Sequence, residues 1–163
     1  MASELLTMRA TQLLQKARDK QFKIATAESC TGGLIIGALT DIAGSSDVVD
    51  RGFITYSNAA KTQMLGVDAV LIATHGAVSD PVARAMAQGA LDRSDAQLAI
   101  AVTGIAGPSG GTAEKPVGLV HFACARQGTD LVSEHHLFSG DRASVREQTV
   151  LLALMLLLQR IGN

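Results

Sequence analysis

The stretch "FKIATAESCTGGLIIGAL", residues 22–39, decides the fold. Residues 22–27 are mostly apolar and of strand length, which predicts a short strand. Leu34, Ile35, Ala38, Leu39 and Ile42 then recur at helical spacing, which predicts a helix ending near Gly44. Between them "SCTGG", 29–33, interrupts both periods with two glycines. A strand running through a tight turn into a helix opens an α/β unit, and it presents Ser29 and Cys30 side by side on the turn.

Outward from this unit the same alternation continues. Leu6, Ala10, Leu13, Leu14 and Ala17 predict a helix over Ser3–Lys20. "RGFITY", 51–56, reads as a second strand. Asn58 reads as the N-cap of a short helix closed by Gly66. "DAVLIATHG", 68–76, gives another short helix. Ser79, Asp80 and Pro81 open a longer one that turns Val82, Met86 and Ala90 inward. "QLAIAVT", 97–103, is an apolar strand buried on both faces. A Gly/Pro loop covers 104–116. "GLVHFACAR" and "TDLVSEHHLF" flank Gln127-Gly128 as a hairpin, and a helix from Arg142 to Arg160 closes the chain. The fold class is therefore α/β, a layered α/β/α domain on a mixed sheet, with one domain over 1–163. In such sheets ligands bind beyond the carboxyl ends of parallel strands. Three ends qualify: the turn after Ala27, the segment after Tyr56 and the loop after Thr103.

Composition narrows the function. The net charge is −1 with no basic stripe, which argues against general nucleic-acid binding. The chain has no Trp and one Tyr, too few aromatics for a base-stacking platform. Cys30 and Cys124 are far apart and form no CxxC, so neither a disulfide framework nor a zinc site is expected. No secretion signal is recognisable, and a cytoplasmic location is expected. "VLLALMLLL", 150–158, falls short of the ~20 residues that span a bilayer. It reads as a core helix or a subunit contact, and a homo-oligomer is expected.

Ser29 has two readings. It could be a nucleophile beside the amides of Thr31, Gly32 and Gly33 at a helix start, with Thr31 as the N-cap. It could equally be a serine capping a turn. Cys30 is the stronger intrinsic nucleophile, but neighbours in an extended turn point in opposite directions, so Cys30 is expected to pack inward. A serine needs a base. His75, His121, His135 and His136 lie away from the candidate strand ends, no histidine spacing suggests a metal site, and no Gly-x-Ser-x-Gly elbow is present. Lys61 falls in the first turn of the helix after Asn58, where the helix dipole disfavours its ammonium form. It is either a neutral-amine base or a solvated surface lysine. Tyr56 could hydrogen-bond Ser29 or relay its proton, or it could be an edge tyrosine with its hydroxyl in water. The loop "TGIAGPSGGTAEKPVG", 103–118, holds five glycines in sixteen residues and suits an anionic guest. Lys115 and Arg142 could add positive charge. The loop is neither a Walker loop nor GxGxxG.

Taken together, "AESCTGG", "GFITYSNAAKTQMLGV", "HGAVS", "TGIAGPSGGTAEKPVG" and "FSGDR" resemble the C-terminal domain of the competence/damage-inducible protein CinA. The resemblance covers nearly the whole chain. It implies a three-layer α/β/α sandwich on a mixed, mostly parallel five-stranded sheet with a C-terminal hairpin. The larger members of that family carry an extra N-terminal nucleotide-processing domain, which this chain is expected to lack. The family includes stand-alone nicotinamide-nucleotide amidases. Membership implies cofactor-free, metal-free hydrolysis of nicotinamide mononucleotide, a pyridine nucleotide, to nicotinic acid mononucleotide and ammonia. Its serine, tyrosine and lysine fall on Ser29, Tyr56 and Lys61. The remaining substrate-binding expectations are Asn58, oxyanion donors around Thr31 to Gly33 or Thr103 to Gly104, and a ribose-phosphate cradle of Gly107, Gly110, Gly111 and Thr112 with Lys115 and Arg142. A non-catalytic pyridine-nucleotide sensor, or a competence- or damage-related accessory protein, is the alternative from another class.

Overall fold

The computed structural model describes residues 3–162. Its helices are α1 (Glu4–Lys20), α2 (Leu34–Thr40), α3 (Asn58–Leu65), α4 (Ala69–His75), α5 (Asp80–Asp92) and α6 (Arg142–Ile161). Its strands are β1 (Ile24–Glu28), β2 (Val49–Ile54), β3 (Leu98–Gly104), β4 (Leu119–Arg126) and β5 (Val132–Leu137). The strands form one five-stranded sheet in the order β2-β1-β3-β4-β5. β1 pairs in parallel with β2 and β3, while β4 pairs antiparallel with β3 and β5. Four strands thus run one way and β4 alone opposes them.

Alternation along the central strands divides the core into two chemically different halves. One face of the sheet carries Ile24, Leu98, Ile100, Val102, Val120, Phe122 and Cys124, packed under α1, α2 and α6. The other presents alanines at 25, 27, 99, 101, 123 and 125, packed under α5 with α3 and α4. Large side chains fill the space between the sheet and one helical layer. An alanine floor lets α5 lie close to the strands, and α5 answers with Ala83, Ala87, Gly89 and Ala90. At the α3–α5 crossing, a Cβ added to Gly89 would lie 2.1 Å from the Leu65 carbonyl oxygen.

The ends of several elements differ from the sequence expectation. α2 stops at Thr40 rather than near Gly44, because Gly44 takes positive φ and leads into a 3-10 turn over Ser45–Asp47. β2 begins at Val49, since Val49 is the register partner of Ile24. α3 is capped by Ser57, whose side chain accepts from the Ala60 amide, so Asn58 is the first helical residue rather than the cap. Lys61 accordingly sits one position deeper in α3 than a cap at 58 implies. No helix among the described residues is long and apolar enough to cross a membrane.

The α3–α5 crossing has no room for a methyl, and the obstructing atom is backbone. Gly89→Ala is expected to destabilise the fold by about 1–3 kcal/mol. Urea unfolding should show a lower midpoint with an unchanged slope; an unchanged midpoint would contradict this view of the packing.

Candidate active site

At its carboxyl end β1 is fastened on both sides. The Thr55 amide donates to the Glu28 carbonyl at 2.9 Å, and the Ser29 amide donates to the Val102 carbonyl at 3.1 Å. The chain then reverses. The Gly32 amide donates back to the Ser29 carbonyl at 3.1 Å. Gly33, at φ 106, steers the chain into α2 through a region closed to most L-residues.

Glu28 anchors this turn from below. Its carboxylate is fully buried and accepts five hydrogen bonds, two from the Thr26 and Thr31 hydroxyls and three from the amides of Gly33, Ile35 and Ile36. A buried charge is tolerated when its lone pairs are satisfied in this way. Two of the three amides expected at the helix start to face an oxyanion are therefore already engaged: Gly33 serves Glu28, and Gly32 serves the Ser29 carbonyl. Thr31, Gly32 and Gly33 do not line the cleft.

Lys61 reaches the same turn from α3. It is only 1% exposed, which excludes the solvated-surface reading. Its Nζ lies 3.1 Å from Ser29 Oγ, 2.7 Å from the Thr55 carbonyl oxygen and 3.3 Å from that of Tyr56. Burial lowers its pKa below the 10.5 of a free lysine, with a small opposing effect from Cys30. No carboxylate pairs with it among the described residues. The lowering comes from desolvation, whereas the sequence reading assigned it to the helix dipole. The contact set also fits the neutral amine. An ammonium donates to all three oxygens; a neutral amine would serve the two carbonyls with its two N–H groups and turn its lone pair to the Ser29 hydroxyl.

Above this pair lies a cleft of about 350 Å³, of a size that suits small ligands. Ser29, Tyr56, Asn58, Lys61, Thr103, Gly104, Gly107, Gly110 and Arg142 all line it, with Cys30, Ala77 and Val78. Tyr56 is 62% exposed at the rim. Its hydroxyl accepts from Arg142 Nη2 at 3.1 Å and has no hydrogen bond to Ser29. Arg142 also donates to the Gly107 carbonyl at 2.9 Å, closing a bridge across the cleft mouth. Thr103 ties β3 to the loop before α5 by donating to the Ala77 carbonyl at 2.9 Å.

Three further candidates lie outside the cleft. Lys115 Nζ donates to the His75 carbonyl at 2.6 Å, at the end of α4. Thr112 and Lys115 bond each other in a local turn. Gly111 packs against Val117, where a Cβ would meet the Val117 nitrogen at 2.7 Å. No histidine lines the cleft. Cys30 lies in the core, and burial pushes its thiol up to about 11, which leaves little thiolate near neutral pH.

Two residues that shape the site went unread in the sequence. Glu28 precedes the serine and looked like an ordinary strand end. Arg146 donates from α6 to the carbonyls of Cys30 and Thr31, at 3.1 Å each. Its only sequence signal is its place one helical turn after Arg142, on the same side of α6.

Comparison with known proteins places these features in a family context. The CinA C-terminal domain family matches residues 6–161. A CinA-like protein of Syntrophobacter fumaroxidans is 52% identical over 88% of the chain, matching 34% of its own length. The chain likewise spans about a third of the length of two Mycolicibacterium CinA-like relatives. The Escherichia coli K12 nicotinamide-nucleotide amidohydrolase PncC is 48% identical over 97% of this chain and 95% of its own. Among solved structures, a competence/damage inducible protein of Agrobacterium tumefaciens superposes with a TM-score of 0.97, at 47% identity, covering 100% of this chain and 99% of its own. A CinA superfamily protein of Escherichia coli gives 0.92 at 34% identity, covering 98% and 94%.

The Glu28 hydrogen bonds make a specific stability test. Glu28→Gln presents an amide N–H₂ to groups that donate, at an expected cost of about 2–3 kcal/mol. Thermal unfolding should fall by roughly 5–10 °C in Tm. An unchanged Tm would contradict the structural role of the carboxylate.

Proposed function

The chain belongs to the CinA C-terminal domain family, and from that premise we propose that it is a nicotinamide-nucleotide amidase working through a Ser29–Lys61 pair. The observation that carries the reading is a buried lysine amine 3.1 Å from a serine hydroxyl at the floor of a ligand-sized cleft. The likeness to PncC across nearly the full length of both chains supports nicotinamide mononucleotide as the substrate.

In the proposed reaction neutral Lys61 takes the Ser29 hydroxyl proton as Oγ bonds to the carboxamide carbon. The carbonyl π electrons move to oxygen, giving a tetrahedral oxyanion. Lys61, now an ammonium, returns the proton to the departing nitrogen. The C–N bond breaks, ammonia leaves, and an acyl ester remains on Ser29. Water then attacks the ester, with Lys61 again accepting the proton. The ester C–O bond breaks, the acid is released and Ser29 is reprotonated.

Tyr56 has a different part from the proton relay first considered. With its hydroxyl on Arg142 and its ring at the rim, it offers a flat surface to the substrate, while its backbone carbonyl holds Lys61. Gly107 and Gly110 on the cleft wall, with Arg142, supply the polar lining for the ribose-phosphate end.

Ammonia release from nicotinamide mononucleotide tests the reading. Wild type should release it, and Ser29→Ala should not, although it still binds the nucleotide. Binding without release by the wild type would leave a sensor instead. Lys61→Met should lower kcat by about a hundred- to ten-thousand-fold. Turnover requires the unprotonated amine, so the rate should rise with pH. The midpoint should lie below the 10.5 of free lysine, because burial lowers the Lys61 pKa. Cys30→Ala should keep most of the activity; a dead Cys30→Ala would move the nucleophile.

A further inference from the structure

The reaction above needs donors for the oxyanion, and the helix-start amides are occupied by Glu28 and the Ser29 carbonyl. Among the described residues, the amides of Cys30 and Thr31 donate to no backbone carbonyl, and that of Cys30 has only its own thiol sulfur beside it. Their directions are fixed by the carbonyls that share their peptide planes, because the C=O and N–H of a trans peptide point opposite ways.

Arg146 holds two carbonyls of this turn. Nε takes the Cys30 carbonyl and Nη2 the Thr31 carbonyl, each at 3.1 Å. The first bond turns the Thr31 N–H to the side away from Arg146. The second turns the Gly32 N–H the same way, where it meets the Ser29 carbonyl at 3.1 Å. That contact in turn aims the Cys30 N–H opposite to the Ser29 carbonyl. One planar fork therefore sets both amides. Cys30, which bears one of them, lines the cleft together with Ser29.

Several further observations fit a dedicated role. Arg146 forms no ion pair with a carboxylate among the described residues, so its guanidinium is committed to these carbonyls. It lies close along the turn: a Cβ on Gly32 would sit 3.6 Å from Nη2. Its positive charge also reaches the turn, opposing the rise that burial imposes on the Cys30 thiol.

We propose that Arg146 is a positioning residue for the amidase, which builds the oxyanion hole by fixing the turn that carries the Cys30 amide, without touching the substrate. The inference rests on the amidase reading. A guanidinium presents its N–H groups in a rigid fork, whereas lysine offers a single flexible ammonium that can hold one carbonyl at a time.

The test uses the full chain with Arg146→Ala and Arg146→Lys, nicotinamide mononucleotide as substrate, and an analogue with an aldehyde in place of the carboxamide. Ser29 Oγ bonds to the aldehyde carbon as its proton passes to Lys61, and the carbonyl π electrons move to oxygen, placing an oxyanion in the hole. Arg146→Ala is expected to lose about a hundred-fold in kcat, with KM changed by no more than about threefold. Affinity for the aldehyde analogue should fall in parallel, and affinity for the product, nicotinic acid mononucleotide, should hold. Arg146→Lys should recover part of the rate. Unchanged kcat in a folded Arg146→Ala overturns the proposal, and so does an equal loss of kcat and product affinity. If Arg146→Ala does not fold, Arg146→Lys decides: wild-type kcat and aldehyde affinity overturn the role, and partial loss of both supports it. A wild type that releases no ammonia sinks the amidase reading and this inference with it. An active wild type beside an undiminished Arg146→Ala sinks the inference alone.

Discussion

The structure turns on one buried amine. Lys61 Nζ sits among two backbone carbonyls and one hydroxyl, with no carboxylate to pair its charge. A cation there loses its hydration and gains only neutral acceptors, which lowers the pKa of Lys61 from that of a free lysine. The same environment that makes the lysine costly to bury makes it suitable as a base. The surrounding elements serve that placement. The end of β2 supplies the Thr55 and Tyr56 carbonyls, the Ser57 cap starts α3 where Lys61 can fold back, and the turn after β1 presents Ser29.

Such a placement needs a rigid frame, and the two sides of the sheet provide it differently. Beneath α5 the alanine floor allows close packing, and a hydroxyl–carbonyl bond from Thr103 ties the end of β3 to Ala77 in the loop before α5. Beneath α2 and α6 the packing is conventional, and the polar work is done by two charged groups. Glu28 gathers the hydroxyls and amides below the Ser29 turn, while Arg146 gathers its outward carbonyls. A five-residue turn is thus held from two sides before any ligand arrives, which is the arrangement preorganised catalysis requires.

Most of the fold could be read from the sequence, because its periods are clean. The β1–turn–α2 unit, the Ser-Asp-Pro start of α5 and the Gln127-Gly128 hairpin each carry their own local signal. The meeting of Ser29, Lys61 and Thr103 on one cleft follows from placing strand ends together, while Arg142 offers itself only as a charge near the glycine-rich loop. The misplaced details are those decided by competition. Ser57 and Asn58 are both good caps, and only the observed bond from the Ala60 amide to Ser57 shows which one acts. The glycine-rich turn advertises free amides, but the buried Glu28 takes that of Gly33 and the Ser29 carbonyl takes that of Gly32. Lys115 reads as a ligand for an anion, yet the end of α4 offers its lysine a carbonyl. Arg146 has no motif, since its role depends on how α6 lies against the turn.

The protonation state of Lys61 is the centre of the account, and it can be observed directly. NMR titration of the Lys61 side chain, assigned by comparison with Lys61→Met, reports its pKa in the folded protein. The account predicts a value below the 10.5 of free lysine, with the neutral amine populated where the enzyme turns over. A Lys61 that titrates at or above that value, in a protein that still releases ammonia, would contradict the account.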